Sequence, residues 1–396
     1  MPAASAVLEQ LAARFDPGAF DAPTGRALLR LEVEGEGSWD AVVEGETLRL
    51  APADPERRAD ARLRADRTTW RAMARDVRGG MQAFRAGRLE IRDNLHLGVG
   101  FLAATSGVTE PGRLELGRVH TSLGDIAVAR AGQGDPVVML HGLGATKASF
   151  LPTLAALAGS YRVLAIDLPG FGDSVKPLAA AYDPRFFAGA VTAFLDASGI
   201  ERAHLIGNSM GGRVALEVGF RHPDRVERVV GLAPALAWRR DRRWAPLVRA
   251  LRPELGLLQL APRPVVEQFV RRFVPGGQDG WAAAGVDEFL RAYLTPRGRA
   301  AFYAALRNIY LDEPEGAEGF WTRLRELECD SLFVWGRQDR LVPIGFARHV
   351  REALPRAEHV ELDCGHVPQL ERPRETHAAV LRFLSRVAAD PSGATA

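Results

Sequence analysis

Three residues whose types can act together on a carbonyl carbon stand far apart in this chain. They are Ser209 in Gly207-Asn208-Ser209-Met210-Gly211, Asp339 in FVWGRQDRLVP, and His366 in VELDCGHVPQLERP. A serine hydroxyl is a weak nucleophile until a base takes its proton, and the base needs a carboxylate to fix its tautomer and orientation. The chain order Ser, Asp, His and the Gly-x-Ser-x-Gly setting fit a nucleophile carried on a strained strand-to-helix turn. A tetrahedral oxyanion also needs two backbone donors. The expected donors are the amide of Met210, directly after the serine, and that of Leu143 in the loop MLHGLGAT. Asp363 is the rival acid, but it stands too near His366 on the same loop to orient the ring easily. His141 is expected to shape the oxyanion loop, and Cys364 to be a small buried filler.

Each of these residues needs an element to hold it. The run AHLI leads into the serine turn and GRVALEVGFRHP leaves it as a helix, while Asp339 follows SLFVWG and His366 follows AEHVELD. With VVMLHG, RVLAIDLPG and VERVVGL, these are unbroken apolar runs, as in strands buried on both faces of a parallel sheet. The hairpin RLELGRVHTSLGDIAVARAG precedes them. From Pro234 to about Glu326 helical patterns such as RPVVEQFVRRFV, GVDEFLRAYL and GRAAFYAALRNIY replace strands. A helical cap inserted at about 234–326 is expected over the carboxyl edge of the sheet, where ligands bind.

The first hundred residues read differently. Short runs over 27–65 alternate apolar and polar, which predicts an antiparallel, half-buried sheet. A helix is expected at RTTWRAMARDV, then helix, short strand and helix through GGMQAFRAGRLEIRDNLHLGVGFLAAT. Strands followed by helices argue for an α+β unit. The small residues, Gly and Pro of Thr105 to Arg113 mark a boundary. The division expected is 1–110 and 111–390.

Composition narrows the partners. The 396 residues carry 51 basic and 49 acidic side chains, a net charge of +2 that gives no reason to invoke nucleic acid. Only Cys329 and Cys364 occur, too few for a disulfide framework, so a reducing cytoplasm is the expected home. No run approaches the ~18 apolar residues of a membrane span, and no stable membrane insertion is expected. The start looks like an amphipathic helix rather than a signal peptide. The run WRRDRRW, Trp238 to Trp244, reads as a solvated charged face.

The serine, aspartate, histidine and His-Gly segments together resemble the α/β-hydrolase superfamily over roughly residues 114–388, and DLPGFGDS matches a loop common there. The resemblance implies an α/β hydrolase fold, with helices on both faces of a mostly parallel sheet and a helical cap. It implies a serine hydrolase that cleaves a carboxylic ester or thioester of a lipophilic substrate through an acyl-enzyme, with no cofactor and no metal. GNSMGG and WGRQDRLVP also look like hydrolases of carbon–carbon bonds in meta-cleavage products. The chain departs from those in lacking HGGGPG and in carrying Val367 where they tend to have tryptophan, so ester cleavage ranks first. Residues from about 10 to 108 resemble the sterol carrier protein 2 family through GSWDAVVEGETLRL, RADARLRADRTTWRAM and GGMQAFRAGRLEIRDNLHLG. That implies a small α+β domain with a five-stranded sheet and an apolar tunnel for a lipid. Trp70, Met73, Met81 and Phe84 are expected to line the tunnel or fill the core. A chain that is chiefly a lipid-binding or transfer protein is the remaining reading.

Overall fold

The computed structural model describes residues 5–76, 83–84, 86–107, 114–238, 245–258, 262–273 and 280–386. Met81, most of the 105–113 boundary, and all of WRRDRRW beyond Trp238 lie outside these residues. Two sheets organise the chain. The first has the order β3-β2-β1-β4-β5, made by Arg26–Val33 (β1), Gly37–Glu44 (β2), Thr47–Pro52 (β3), Ala61–Ala65 (β4) and Leu89–Arg92 (β5). Its strands bury alternate residues: Ala61, Leu63 and Ala65 point inward and Arg62 and Arg64 outward.

One expectation is corrected here. β4 pairs with β1 in parallel, Leu29 opposite Ala61 and Val33 opposite Ala65, whereas β1–β2 and β2–β3 are antiparallel. Alternation reports a half-buried face and is blind to strand direction. The reversal is made by residues 53–60, where Arg30 grips Asp40 and the carbonyls of Asp54 and Arg57, and Asp60 Oδ2 accepts from the Leu28 amide at 2.8 Å.

The helices of this part start where side chains supply caps. Asp66 accepts from the Thr69 amide at 2.8 Å to open Arg67–Arg75, and Asn94 accepts from the Leu97 amide at 3.0 Å to open Leu95–Thr105. Every residue of Leu95–Thr105 is buried. The helix lies between β4 and β5 on one side and the second sheet and cap on the other. Trp70 and Met73 are fully buried, with the Trp70 indole donating to the Glu32 carbonyl at 3.0 Å; Phe84 is half-buried.

The second sheet has the order β13-β12-β11-β10-β8-β9-β7-β6. Its strands are Glu115–Thr121 (β6), Gly124–Ala131 (β7), Pro136–Leu140 (β8), Arg162–Ile166 (β9), Ala203–Asn208 (β10), Val226–Leu232 (β11), Asp330–Gly336 (β12) and Glu358–Leu362 (β13). The hairpin β6–β7 and the β7–β9 pair are antiparallel, and the strands from β9 through β13 pair in parallel. β10 is buried at all six positions, as its unbroken apolar run predicts. β13 is the exception: all five of its residues are only half-buried, because it is the edge strand.

Side chains from the two sheet faces enter separate cores. Val137, Met139, Ile206, Val230 and Val334 join a core continuous with the interior of the first part, while Val138, Leu140, Leu205, Val229 and Phe333 meet the helices opposite. Burying each such side chain stabilises by roughly 1.5–3 kcal/mol. Between β11 and β12 the described residues form no strand. They form the helices Ala245–Ala250, Arg263–Phe273, Gly280–Tyr293, Pro296–Tyr310 and Phe320–Arg325. No helix of the described residues is long and apolar enough to cross a membrane.

Candidate active site

Ser209 stands at the carboxyl end of β10 with φ 52° and ψ −116°, a conformation that costs a non-glycine residue ~1–3 kcal/mol. Its backbone is pinned on both sides. The amide donates to the Leu232 carbonyl at 3.0 Å, and its carbonyl accepts from Arg213 at 3.1 Å and Ala235 at 2.9 Å. The glycines around it are dictated by space. A Cβ on Gly211 would collide with the Leu140 carbonyl and come within 2.7 Å of the His141 carbonyl; one on Gly207 would run into the backbone of Gly211. The helix Met210–Arg221 therefore begins directly behind the serine, with its free amides and positive end directed there.

The other two residues come from the ends of neighbouring strands. His366 Nδ1 lies 2.7 Å from Asp339 Oδ2, across the loops that follow β13 and β12. The Asp339 carboxylate is 1% exposed and the His366 ring 19%. Oδ1 of Asp339 accepts from the amides of Leu341 at 2.8 Å and Val342 at 3.0 Å, so this carboxylate is held at both oxygens. A proton on Nδ1 directed at Asp339 leaves Nε2 as the basic nitrogen. The rival, Asp363, is exposed and accepts instead from Gln338 at 2.7 Å.

Two residues that sequence reasoning passed over position this histidine. Asn208 Nδ2 donates to the His366 carbonyl at 3.1 Å and to the Leu232 carbonyl at 2.9 Å, tying the serine turn to the histidine loop. Glu371 accepts from the amides of Gly365 and Val367, one on each side of His366, at 2.7 and 3.0 Å. The only sequence signal for Glu371 was its place in the short stretch PQLERP, directly after the histidine.

The loop after β8 lies against the serine: a Cβ on Gly142 would stand 3.3 Å from Ser209 Cβ. His141 shapes this loop, as expected. It is fully buried, its Nδ1 donates to the Gly142 carbonyl at 2.7 Å, and its Nε2 accepts from the Leu168 amide at 3.0 Å. Burial holds its pKa below the ordinary value, which suits a ring that must keep Nε2 unprotonated. Among the described residues, no hydrogen bond uses the amide of Leu143 or of Met210. Leu143 packs at the edge of the core and Met210 is buried.

The loop's far end is fixed by charge. The Lys147 amide donates to Asp167 Oδ1, and its Nζ to Asp167 Oδ2, each at 2.7 Å; the same Nζ is 3.4 Å from Asp173. Burial pulls the Lys147 pKa down, but the two carboxylates outweigh it and the ammonium is held above its ordinary value. Above the loop, Gly144 has φ 74°, and a Cβ there would be 2.9 Å from the Phe289 ring and 3.1 Å from Phe302. Phe289, Tyr293, Phe302 and Tyr303 form an aromatic cluster of the cap, with neighbouring ring centroids 5.0–6.4 Å apart. Cys364 is a buried thiol pushed up to about 11 by burial, which disfavours the thiolate.

Comparison with known proteins bears on both parts. Residues 135–373 match the family model of the alpha/beta hydrolase fold, and residues 9–103 that of the SCP-2 sterol transfer family. The chain is 31% identical over 281 residues to a 2-hydroxymuconate semialdehyde hydrolase of Pseudomonas sp. (strain CF600), covering 68% of this chain and 89% of the relative. It is 30% identical over 268 residues to a 2-hydroxy-6-oxo-6-phenylhexa-2,4-dienoate hydrolase of Burkholderia cepacia, covering 64% and 89%. Among solved structures, a membrane phospholipase A, a bacterial virulence factor, superimposes with a TM-score of 0.57 at 30% identity over 68% of this chain and 86% of that one.

Proposed function

Because this chain belongs to the α/β-hydrolase family, we propose that it is a serine hydrolase cleaving a carboxylic ester or thioester with a lipophilic portion. Ser209 attacks the carbonyl, Nε2 of His366 takes and returns the proton, and Asp339 holds the imidazole. The amides of Leu143 and Met210 receive the oxyanion; losing one such donor costs ~3–4 kcal/mol of transition-state stabilisation. The observation that carries this reading is the 2.7 Å contact between Asp339 and His366, bonded through Asn208 to the strained serine turn. A fluorophosphonate probe should label the protein, and Ser209→Ala should abolish both labelling and ester turnover. Undiminished labelling of that variant rejects the reading.

The acyl portion is taken as apolar because aromatic rings crowd Gly144, while Lys147 and Arg291 are already bonded to carboxylates. Carbon–carbon bond hydrolysis is the second reading, favoured by the two relatives whose names specify such substrates. Turnover of a meta-cleavage product well above that of p-nitrophenyl esters decides for it. We further propose that the first part, 1–110, holds a lipophilic ligand, in keeping with its family match, and that the hydrolase spans 111–390 with its cap at about 234–326. Two free thiols suit a cytoplasmic protein. Mass spectrometry of the purified chain tests the lipid: a co-purified lipid supports the ligand, and its absence after exposure to fatty acid vesicles removes it.

A further inference from the structure

The corner between β5 and the helix Leu95–Thr105 is bonded to the cap helix Gly280–Tyr293 by a set of buried and half-buried charged groups. Arg92 Nε lies 2.6 Å from Asp287, whose carboxylate also accepts from the Asp93 amide at 3.2 Å. The next cap residue, Glu288, accepts from the Leu95 amide at 3.2 Å and from Arg291 at 2.5 Å. Arg291 reaches on to Asp173 with both terminal nitrogens, at 2.8 and 3.0 Å. His96, also from the first part, is buried between Asp21 and Asp173: its Nε2 donates to the Asp21 carbonyl at 2.9 Å, and its Nδ1 lies 3.6 Å from an Asp173 oxygen with no hydrogen bond between them. Asp173 in turn touches Lys147 at the end of the oxyanion loop, and its amide donates to Asp167 at 2.9 Å.

Phe289 lies in the middle of this stretch of cap helix, against Gly144. The path therefore runs from Arg92 through Asp287 to the helix that covers the loop, and from His96 through Asp173 to the lysine that ends it. We propose that the sterol-carrier-like domain is a positioning element of the hydrolase, with Arg92 and His96 fixing the cap helix and the oxyanion loop in the geometry that receives the transition state. This rests on the serine hydrolase reading above. Neither residue touches the reacting atoms. Both act through Asp287, Arg291 and Asp173, and a misplacement of about 1 Å in an oxyanion donor is enough to slow acyl transfer.

Charge exchange across the Arg92–Asp287 pair tests the idea in the full chain. Arg92→Asp and Asp287→Arg should each lower kcat on a p-nitrophenyl ester about tenfold with KM changed by less than about twofold, because the loss falls on the transition state. The double variant, with the pair reversed, should recover the part of that loss that rests on the ion pair, though not the part that rests on the Asp93 amide, for which an arginine at 287 offers no acceptor. Amide hydrogen exchange over residues 142–147 should quicken in each single variant and slow again in the double. Unchanged kcat and loop exchange in both single variants overturn the proposal, and so does a loss of which the double variant recovers no part. If a single variant does not fold, loop exchange in Arg92→Gln decides in its place. If Ser209→Ala keeps full activity, or the wild-type chain turns over no ester, the functional reading falls while loop exchange still reports the coupling.

Discussion

Asn208 donates its side-chain amide to the carbonyl of His366, so the residue before the proposed nucleophile holds the backbone of its proposed base. Asn208→Ala breaks this bond and the one to Leu232. It should lower kcat about tenfold and stability by ~1–2 kcal/mol, the cost of leaving buried carbonyls short of a donor. Steady-state kinetics with denaturant unfolding checks both.

Asp339→Asn keeps the volume but replaces one carboxylate oxygen with a donor, which favours the wrong histidine tautomer. A fall of ~10³–10⁴ in kcat is expected, with little change in KM. Retention of more than a tenth of the activity would point to another acid.

Two glycine substitutions should diverge. Gly211→Ala drives a methyl into the carbonyls of Leu140 and His141 and should cost several kcal/mol, roughly 3 or more, visible as a lower melting temperature or loss of folded protein. Gly285→Ala, exposed on the cap helix with nothing within 4 Å of its added carbon, should be neutral or stabilise by up to ~1 kcal/mol.

Acid should weaken the fold before its carboxylates titrate. Burial pushes His204 and His359 down to about 4, and His359 accepts a hydrogen bond from the Trp335 indole that a protonated Nδ1 could not accept. Both rings stay neutral in the folded chain while the unfolded chain takes up protons below ~6.5, so stability is full above that pH and falls on the way to 4. The expected slope approaches ~1.4 kcal/mol per pH unit for the His204 ring and is smaller for the half-buried His359, where solvent screens the charge. Thermal unfolding from pH 7.5 to 4.5 measures it, and His204→Phe, set against the Tyr161 ring, should flatten it. A melting temperature constant across that range contradicts the assignment.

What could be seen in the sequence follows from what kind of interaction was at stake. The strands that carry Ser209 and Asp339 were legible because burial on both faces leaves unbroken apolar runs, and the glycines at 207 and 211 because a sharp corner has few solutions. The direction of β4 was not, since alternation is the same for parallel and antiparallel pairing. Nor was Arg92 legible as a partner of Asp287: the pair spans 195 residues, and a charged residue on an alternating strand looks like any solvated one. Asn208 and Glu371 act on backbone amides and carbonyls, which every residue carries, so no side-chain pattern announces them.

The helix Leu95–Thr105 has no face turned to water. Here scission near residue 110 would strip one half of a wall and leave Asp287, Glu288 and Asp173 without the groups that meet them across the seam. A hydrolase fragment freed of its first hundred residues would therefore lack a wall of its own core.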